Sequence, residues 1–221
     1  MKAIKAYTQI YGDINGQDIL NKIESVGRIC YKSEDKIKEG SAEKFVAGLI
    51  KRGHEAMLEH ASITIKFVVD RGISHEIVRH RVASFAQEST RYCNYSKDDF
   101  GKEITFIIPE YLDYNSPQWK IWKETMKECE KAYFKLIEVG LKPEEARSVL
   151  PHSLKTEVVM TANLREWRHF FKLRAANTTG KAHPQMLEVT VPLLEELKTL
   201  IPVVFDDIVI GGEKSWSCSE K

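Results

Sequence analysis

The rhythm of hydrophobic and polar residues changes repeatedly along this chain, and each change marks an element. Residues 2–10 alternate loosely, as a first strand does. Over residues 18–31, Ile19, Leu20, Ile23, Val26 and Ile29 recur at helical spacing behind the turn signal Asn15-Gly16. Residues 42–51 repeat the pattern with Phe45, Val46, Leu49 and Ile50, stopping before Gly53. Residues 62–69 are β-branched and aromatic and predict a strand. A helix is expected from Ile73 to about Ala83 with Ser74 as its cap, followed by extended chain. Residues 104–108 form a short strand closed by Pro109.

The clearest helix covers residues 116–139. There Trp119, Trp122, Met126, Cys129, Tyr133 and Leu136 recur in three- and four-residue steps, a core stripe rather than a cofactor box. Gly140 ends it, and Pro143-Glu144-Glu145 opens a short helix with proline in its first turn. Residues 156–162 predict a strand, 164–173 a helix and 184–200 a last long helix. Strands and helices mix without regular βαβ alternation. The expected class is therefore α+β, a mixed or antiparallel sheet flanked by helices. No repeat, low-complexity tract or linker interrupts the pattern. A chain of 221 residues can bury one substantial core, so one domain over 1–221 is expected.

Composition narrows the function. Hydrophobic residues at 43% and charged residues at 29% describe an ordinary globular chain. A formal net charge of +1 argues against a general nucleic-acid binder, which carries a basic excess. No stretch longer than seven residues lacks Asp, Glu, Lys or Arg, so no membrane span is expected. The start, Met-Lys-Ala-Ile-Lys, lacks a long apolar run, and the cytoplasm is the expected compartment. Cys30, Cys93, Cys129 and Cys218 are widely spaced without a Cys-x-x-Cys, which suits reduced thiols. Cys93 has no assignable helper, which weighs against a nucleophilic role.

Residues 79–92 are the densest chemistry: Arg-His-Arg-Val-Ala-Ser-Phe-Ala-Gln-Glu-Ser-Thr-Arg-Tyr. Arg79, Arg81 and Arg91 can grip phosphate or carboxylate with two donors each, while Ser84, Gln87 and Ser89 add directional hydrogen bonds. An ion-paired helix running into a loop accounts for the same composition, and Glu76 with Arg79 can simply pair on a helix face. His75-Glu76 and His80 are five apart, which turns the two imidazoles about 140° from each other around a helix, so no metal site is expected. No glycine-rich phosphate loop is present; nucleotide binding would rest on arginines and helix ends. A second cluster runs from Asn163, a cap position, through Arg165 and His169 to Arg174. Arg147 closes the short helix before Val149-Leu150-Pro151, where it also suits the helix dipole.

Together these segments resemble the signature of the flavin-dependent thymidylate synthases. The resemblance runs from Gly53-His54-Glu55 and Glu59-His60 through residues 79–92 and Ala146-Arg147 to Asn163-Leu164-Arg165 and Leu173-Arg174. It implies methylation of dUMP to dTMP with 5,10-methylenetetrahydrofolate as carbon donor and an FAD that NADPH reduces. It also implies a homotetramer with sites shared between subunits. By position, Ala56, Arg79, His80, Arg81, Gln87, Asn163, Leu164, Arg165 and His169 would contact FAD, with His54 nearby. Glu76, Ile77, Val78 and Arg79, then Gln87, Glu88, Ser89, Thr90 and Arg91, with Arg147 and Arg174, would hold the nucleotide. Arg174 would activate the uracil by stabilising charge as N3 ionises. Ser89 lacks an assignable His–acid pair and is cast as a binding hydroxyl.

Two departures from the family pattern stand out. Ala86-Gln87 replaces Asn-Glu, and an amide can donate and accept but cannot act as a base. Ala56 lacks a hydroxyl, so a flavin contact there would come from backbone. The competing class is a nucleotide- or RNA-binding module using Arg79, Arg81 and Arg91, which the near-zero net charge opposes.

Overall fold

Residues 1–97 and 101–211 are described by the computed structural model; Cys218 lies outside them. The class is α+β. The stretch expected as one first strand is two. β1 (Lys2–Ile4) pairs in parallel with β5 (Thr105–Ile107), Lys2 opposite Thr105 and Ile4 opposite Ile107. β2 (Tyr7–Tyr11) belongs instead to a four-stranded sheet ordered β2, β3 (Ser62–Asp70), β6 (Lys155–Asn163), β4 (Ala83–Gln87). Alternation continues through Lys5-Ala6 without a turn residue, so the local pattern conceals the change of partner. Within this sheet β3 and β6 are antiparallel. The Thr64 hydroxyl meets that of Thr161 at 2.9 Å, while Arg71 N, just past β3, donates to Leu154 O, just before β6.

Two compact units alternate along the chain: Met1–Gln9 with Ile65–Met160, and Ile10–Thr64 with the chain from Thr161 onward. The first holds α3 (Arg71–Ile77), α4 (Pro117–Glu138) and α5 (Pro143–Ala146). α3 is shorter than expected and its cap is Asp70, whose carboxylate accepts from Ile73 N at 2.8 Å. Ser74 lies inside the helix and donates back to Arg71 O at 2.8 Å. After Ile77 the bonds tighten to three-residue steps, Arg79 N to Glu76 O and His80 N to Ile77 O. The chain then leaves the helix to pair as β4 beside β6, and that tertiary pairing overrides local helical character. α4 starts at the cap Ser116, which accepts from Trp119 N at 3.1 Å. Of its apolar stripe only Met126 and Tyr133 are fully buried; they pack with Tyr95, Ile104, Phe106 and Leu154. Trp119 and Trp122 stack at 5.1 Å and are half-buried.

The second unit holds α1 (Gly16–Ile29), α2 (Ser41–Lys51), a 3-10 segment Glu55–His60, α6 (Leu164–Arg174) and α7 (Pro184–Leu200). Its core gathers Leu20, Ile23, Val46, Leu49, Leu58, Trp167, Phe170, Phe171 and Leu193, all essentially without solvent contact. The start of α1 approaches the end of α7 closely: a Cβ at Gly16 would lie 2.0 Å from Leu200 O, so only glycine fits. Among the described residues no helix is long and apolar enough to cross a membrane.

Candidate active site

In the first unit the candidate residues sit around the joint between α3, β4 and β6. Glu76 and Val78 are half-buried, Ile77 and His80 buried, Arg79 and Arg81 exposed. Among the described residues no ion pair engages either exposed guanidinium. Gln87, at the end of β4, donates through Nε2 to Ser74 Oγ at 3.0 Å and to Thr156 Oγ1 at 3.3 Å. Arg71 donates to the same Thr156 oxygen at 3.3 Å and to Glu88 O at 3.2 Å. This set fixes which end of the Gln87 amide faces inward, with Nε2 as the donor to both hydroxyls.

Beyond β4 the chain folds into a tight turn. Cys93 N donates to Ser89 O at 3.0 Å, and Arg91 N to Ser89 Oγ at 3.3 Å. Arg147 arrives from the end of α5 and donates through Nη1 to Thr90 Oγ1 at 2.9 Å. Its Nε is bonded to Glu144 O at 3.1 Å, and Arg91 Nε lies 3.3 Å from the Glu144 carboxylate. Two guanidiniums and two hydroxyls, drawn from positions 57 residues apart, thus meet at one turn. Arg91, Arg147 and Glu144 are exposed, so the Glu144 contact is a solvated one that a phosphate can displace.

Glu88 behaves differently from its neighbours in the motif. Its side chain enters a cavity of about 540 Å³ whose walls include Cys93, Tyr95, Glu103, Lys155 and Glu157. Tyr95 donates its hydroxyl to Glu88 Oε1 at 3.0 Å, and Lys155 Nζ lies 2.9 Å from Glu88 Oε2 and from Glu157 Oε1. Lys66 stands 3.4 Å from Glu157. Lys155's hydrogen bond holds the Glu157 carboxyl below the usual carboxylate range. Burial alone would lower the Lys155 ammonium, yet its bonds to Glu157 and Glu88 keep it above its ordinary value. Burial, then the Glu88 charge, pushes the Cys93 thiol up, which disfavours the thiolate a nucleophile needs.

None of Arg71, Tyr95, Lys155, Thr156 or Glu157 is marked by the sequence motif. The alternation of β6 carried a signal: Lys155, Glu157 and Val159 share one face while Thr156, Val158 and Met160 are buried on the other. Nothing local showed that Glu88 would meet that face.

In the second unit Ala56 is exposed on the 3-10 segment, and Asn163 caps α6 by accepting from Glu166 N at 2.9 Å. The Leu164 side chain lies in the core, and its N–H donates to Ala61 O. Arg165 is exposed and paired with Glu59 at 2.6 Å; His169 is exposed and Arg174 half-buried, its carbonyl accepting from Thr190. Between them lies a residue the sequence reading passed over. Arg168 is 1% exposed, donates to both oxygens of Asp207 at 2.6 and 2.7 Å and to Glu55 at 3.1 Å, and also bonds Val204 O. Burial would lower its pKa, but the Asp207 and Glu55 contacts hold it above the ordinary value. Leu164, Trp167, Arg168 and Phe171 fall on one helix face, so helical periodicity already placed Arg168 inward.

The geometry therefore defines an α+β protein with cationic, hydroxyl-rich turns suited to phosphate-bearing ligands. Comparison with known proteins gives the class a family. Residues 14–203 match the family described as thymidylate synthase complementing protein. The chain is 40% identical over 174 residues to the flavin-dependent thymidylate synthase of Pyrococcus horikoshii, covering 77% of this chain and 70% of that one. The Geobacter sulfurreducens flavin-dependent thymidylate synthase is 32% identical over 187 residues, 81% and 78% of the two chains. Against the Pyrococcus furiosus flavin-dependent thymidylate synthase identity is 37% over 167 residues, 75% of this chain but 66% of that protein's length. The fold is shared with the UMP/dUMP methylase PolB of Streptomyces cacaoi, solved with 5-Br dUMP: TM-score 0.75, 21% identity, 93% and 95% coverage. This chain belongs to the flavin-dependent thymidylate synthase family.

Proposed function

We propose that the chain is the subunit of a cytoplasmic, homotetrameric enzyme that methylates dUMP to dTMP. FAD would be the bound cofactor, NADPH its reductant and 5,10-methylenetetrahydrofolate the carbon donor, with sites drawing on more than one subunit. The observation that supports this best is the meeting of Arg147 with the Ser89–Arg91 turn, since converging guanidiniums and hydroxyls suit a nucleotide phosphate. Arg79 and Arg81, exposed and without an ion pair among the described residues, fit the diphosphate of a dinucleotide cofactor. Ala56, His80, Asn163, Arg165 and His169 would complete its contacts. Bound flavin supplies the redox and carbon-transfer chemistry, while the protein orients and polarises.

Arg174 would stabilise negative charge on the uracil as N3 ionises; removing such a preorganised donor costs about 3–4 kcal/mol, roughly a hundred- to thousandfold in rate. Gln87, its Nε2 committed to Ser74 and Thr156, would present a carbonyl oxygen to the ligand as acceptor and not as base. Ser89 and Thr90 would bind, not attack. The purified protein should be yellow and bleach anaerobically with NADPH, and it should yield dTMP from dUMP and the folate. A colourless protein that takes up no added FAD would overturn the proposal. Arg174→Ala should abolish methylation while flavin stays bound; unchanged turnover would remove Arg174 from its role.

A further inference from the structure

We infer that Glu88, although it lies inside the nucleotide-binding stretch, does not touch the nucleotide. It is a positioning residue that locks the Ser89–Arg91 turn in its binding shape before ligand arrives. The inference rests on the proposed dUMP site and adds a device to it.

Three polar groups of Glu88 are hydrogen-bonded, and the fourth, Oε2, is ion-paired without hydrogen-bond geometry. Its N–H donates to Glu157 O at 2.9 Å and its carbonyl accepts from Arg71 at 3.2 Å. One carboxylate oxygen accepts from Tyr95 at 3.0 Å, and the other lies 2.9 Å from Lys155. The Tyr95 bond is decisive in its placement. Residues 88 and 95 flank the turn, so this bond closes its base, as a staple does, around Ser89, Thr90 and Arg91. Tyr95 is itself held edge-on to the buried Tyr133, ring centroids 5.8 Å apart. Lys155 then fastens the base to β6, and Arg71 fastens it to α3. The turn is thereby ordered in the free protein, which lowers the entropy lost when ligand binds.

The charges have a matching logic. Two carboxylates, Glu88 and Glu157, face two ammoniums, Lys155 and Lys66, so each carboxylate has a cationic partner, and Arg71 adds a further cation at Glu88 O. An unpaired Glu88 carboxylate would repel a phosphate held by the residues that follow it. The side chain instead points into the cavity, where its charge is matched.

The test uses the full-length protein with its flavin, and Tyr95→Phe and Glu88→Gln as variants. Tyr95→Phe removes the bond across the base but keeps the ring on Tyr133; Glu88→Gln keeps an acceptor for Tyr95 and removes the charge match with Lys155. In both, dUMP affinity should fall roughly tenfold, as expected for loss of a charge-assisted bond. Flavin content and kcat at saturating dUMP should stay within about twofold, so the loss appears in KM. Backbone amides of residues 89–93 should exchange hydrogen faster in the free variants and regain protection with saturating dUMP. Unchanged affinity and exchange in both variants would overturn the inference, as would parallel loss of flavin, kcat and melting temperature. Should the wild-type protein bind no dUMP, the proposed function fails, while faster exchange at 89–93 still reports on the staple.

Discussion

Residues 79–92 and 163–174 each carry three arginines, yet the structure buries one of them only in the second stretch. In the first stretch all three guanidiniums are exposed, and the one ion pair they form among the described residues, Arg91 with Glu144, is solvated on both sides. In the second, the middle arginine is withdrawn from water and forked onto Asp207, with Glu55 behind it. The difference teaches what arginine density means. A guanidinium left in solvent beside hydroxyls retains donors for a ligand, whereas a buried fork has used them on its own fold. Arg168 anchors α6 to the chain around Val204–Asp207, and α6 carries Arg165, His169 and Arg174.

The largest test of that contrast is Arg168→Ala. It strands two partly exposed carboxylates and a carbonyl; leaving such groups without their partner costs about 1–3 kcal/mol, so denaturant unfolding should move to lower concentration. Arg147→Ala should do the reverse. Unfolding should stay put, while dUMP affinity falls roughly ten- to thirtyfold, the cost of one hydrogen bond to a charged group. Calorimetry on both variants decides it: a destabilised Arg147 variant or an unaltered Arg168 variant would erase the distinction.

How much of this was legible beforehand depended on whether the signal was local. α1, α2, α4, α6 and α7 lie within two residues of their expected bounds, because an amphipathic stripe is written in consecutive turns. α3 ended six residues early and the first strand was two, because both outcomes depend on which strand pairs alongside. The site divides in the same way. Ser89, Thr90, Arg91 and Arg147 were identifiable from side-chain chemistry and family pattern, and the structure brings them to one turn. Glu88 was grouped with them by the family pattern, although alternation beyond β4 turns it to the other side from Gln87. Lys155 and Tyr95 had no mark at all, since their partner lies elsewhere in the chain. Ile77 and Leu164, expected among ligand contacts, have side chains in the core, which leaves their backbone as the available surface.

Acid sharpens the comparison next. Burial would raise the Asp207 carboxyl, but the Arg168 fork outweighs it and holds the group below the usual range. A carboxylate with a depressed folded pKa contributes stability that is complete above about pH 4 and lost as pH falls through the folded value. Asp207 is half-exposed, so the effect is modest, about 1 kcal/mol or 2–4 °C in melting temperature. Asp207→Asn should flatten the acid limb of a melting-temperature profile. An identical limb in the variant would mean that other carboxylates, Glu157 among them, carry it.

The smallest effect is the one with the least intuitive sign. Glu144 accepts from Arg91 at 3.3 Å in solvent, where such a pair contributes little to stability, about 0.2–1 kcal/mol. In the proposed nucleotide complex that carboxylate would compete with phosphate for the same guanidinium. Glu144→Gln removes the competing charge but keeps the backbone carbonyl that Arg147 uses. The variant should therefore bind dUMP two- to fivefold more tightly, an increase of about 0.4–1 kcal/mol, with unfolding unchanged. The gain should shrink as salt rises, because the repulsion it relieves is screened over about 8–10 Å. Weaker binding in Glu144→Gln would show that the Arg91–Glu144 contact holds the turn in place, and that the exposed arginines of this stretch are structural after all.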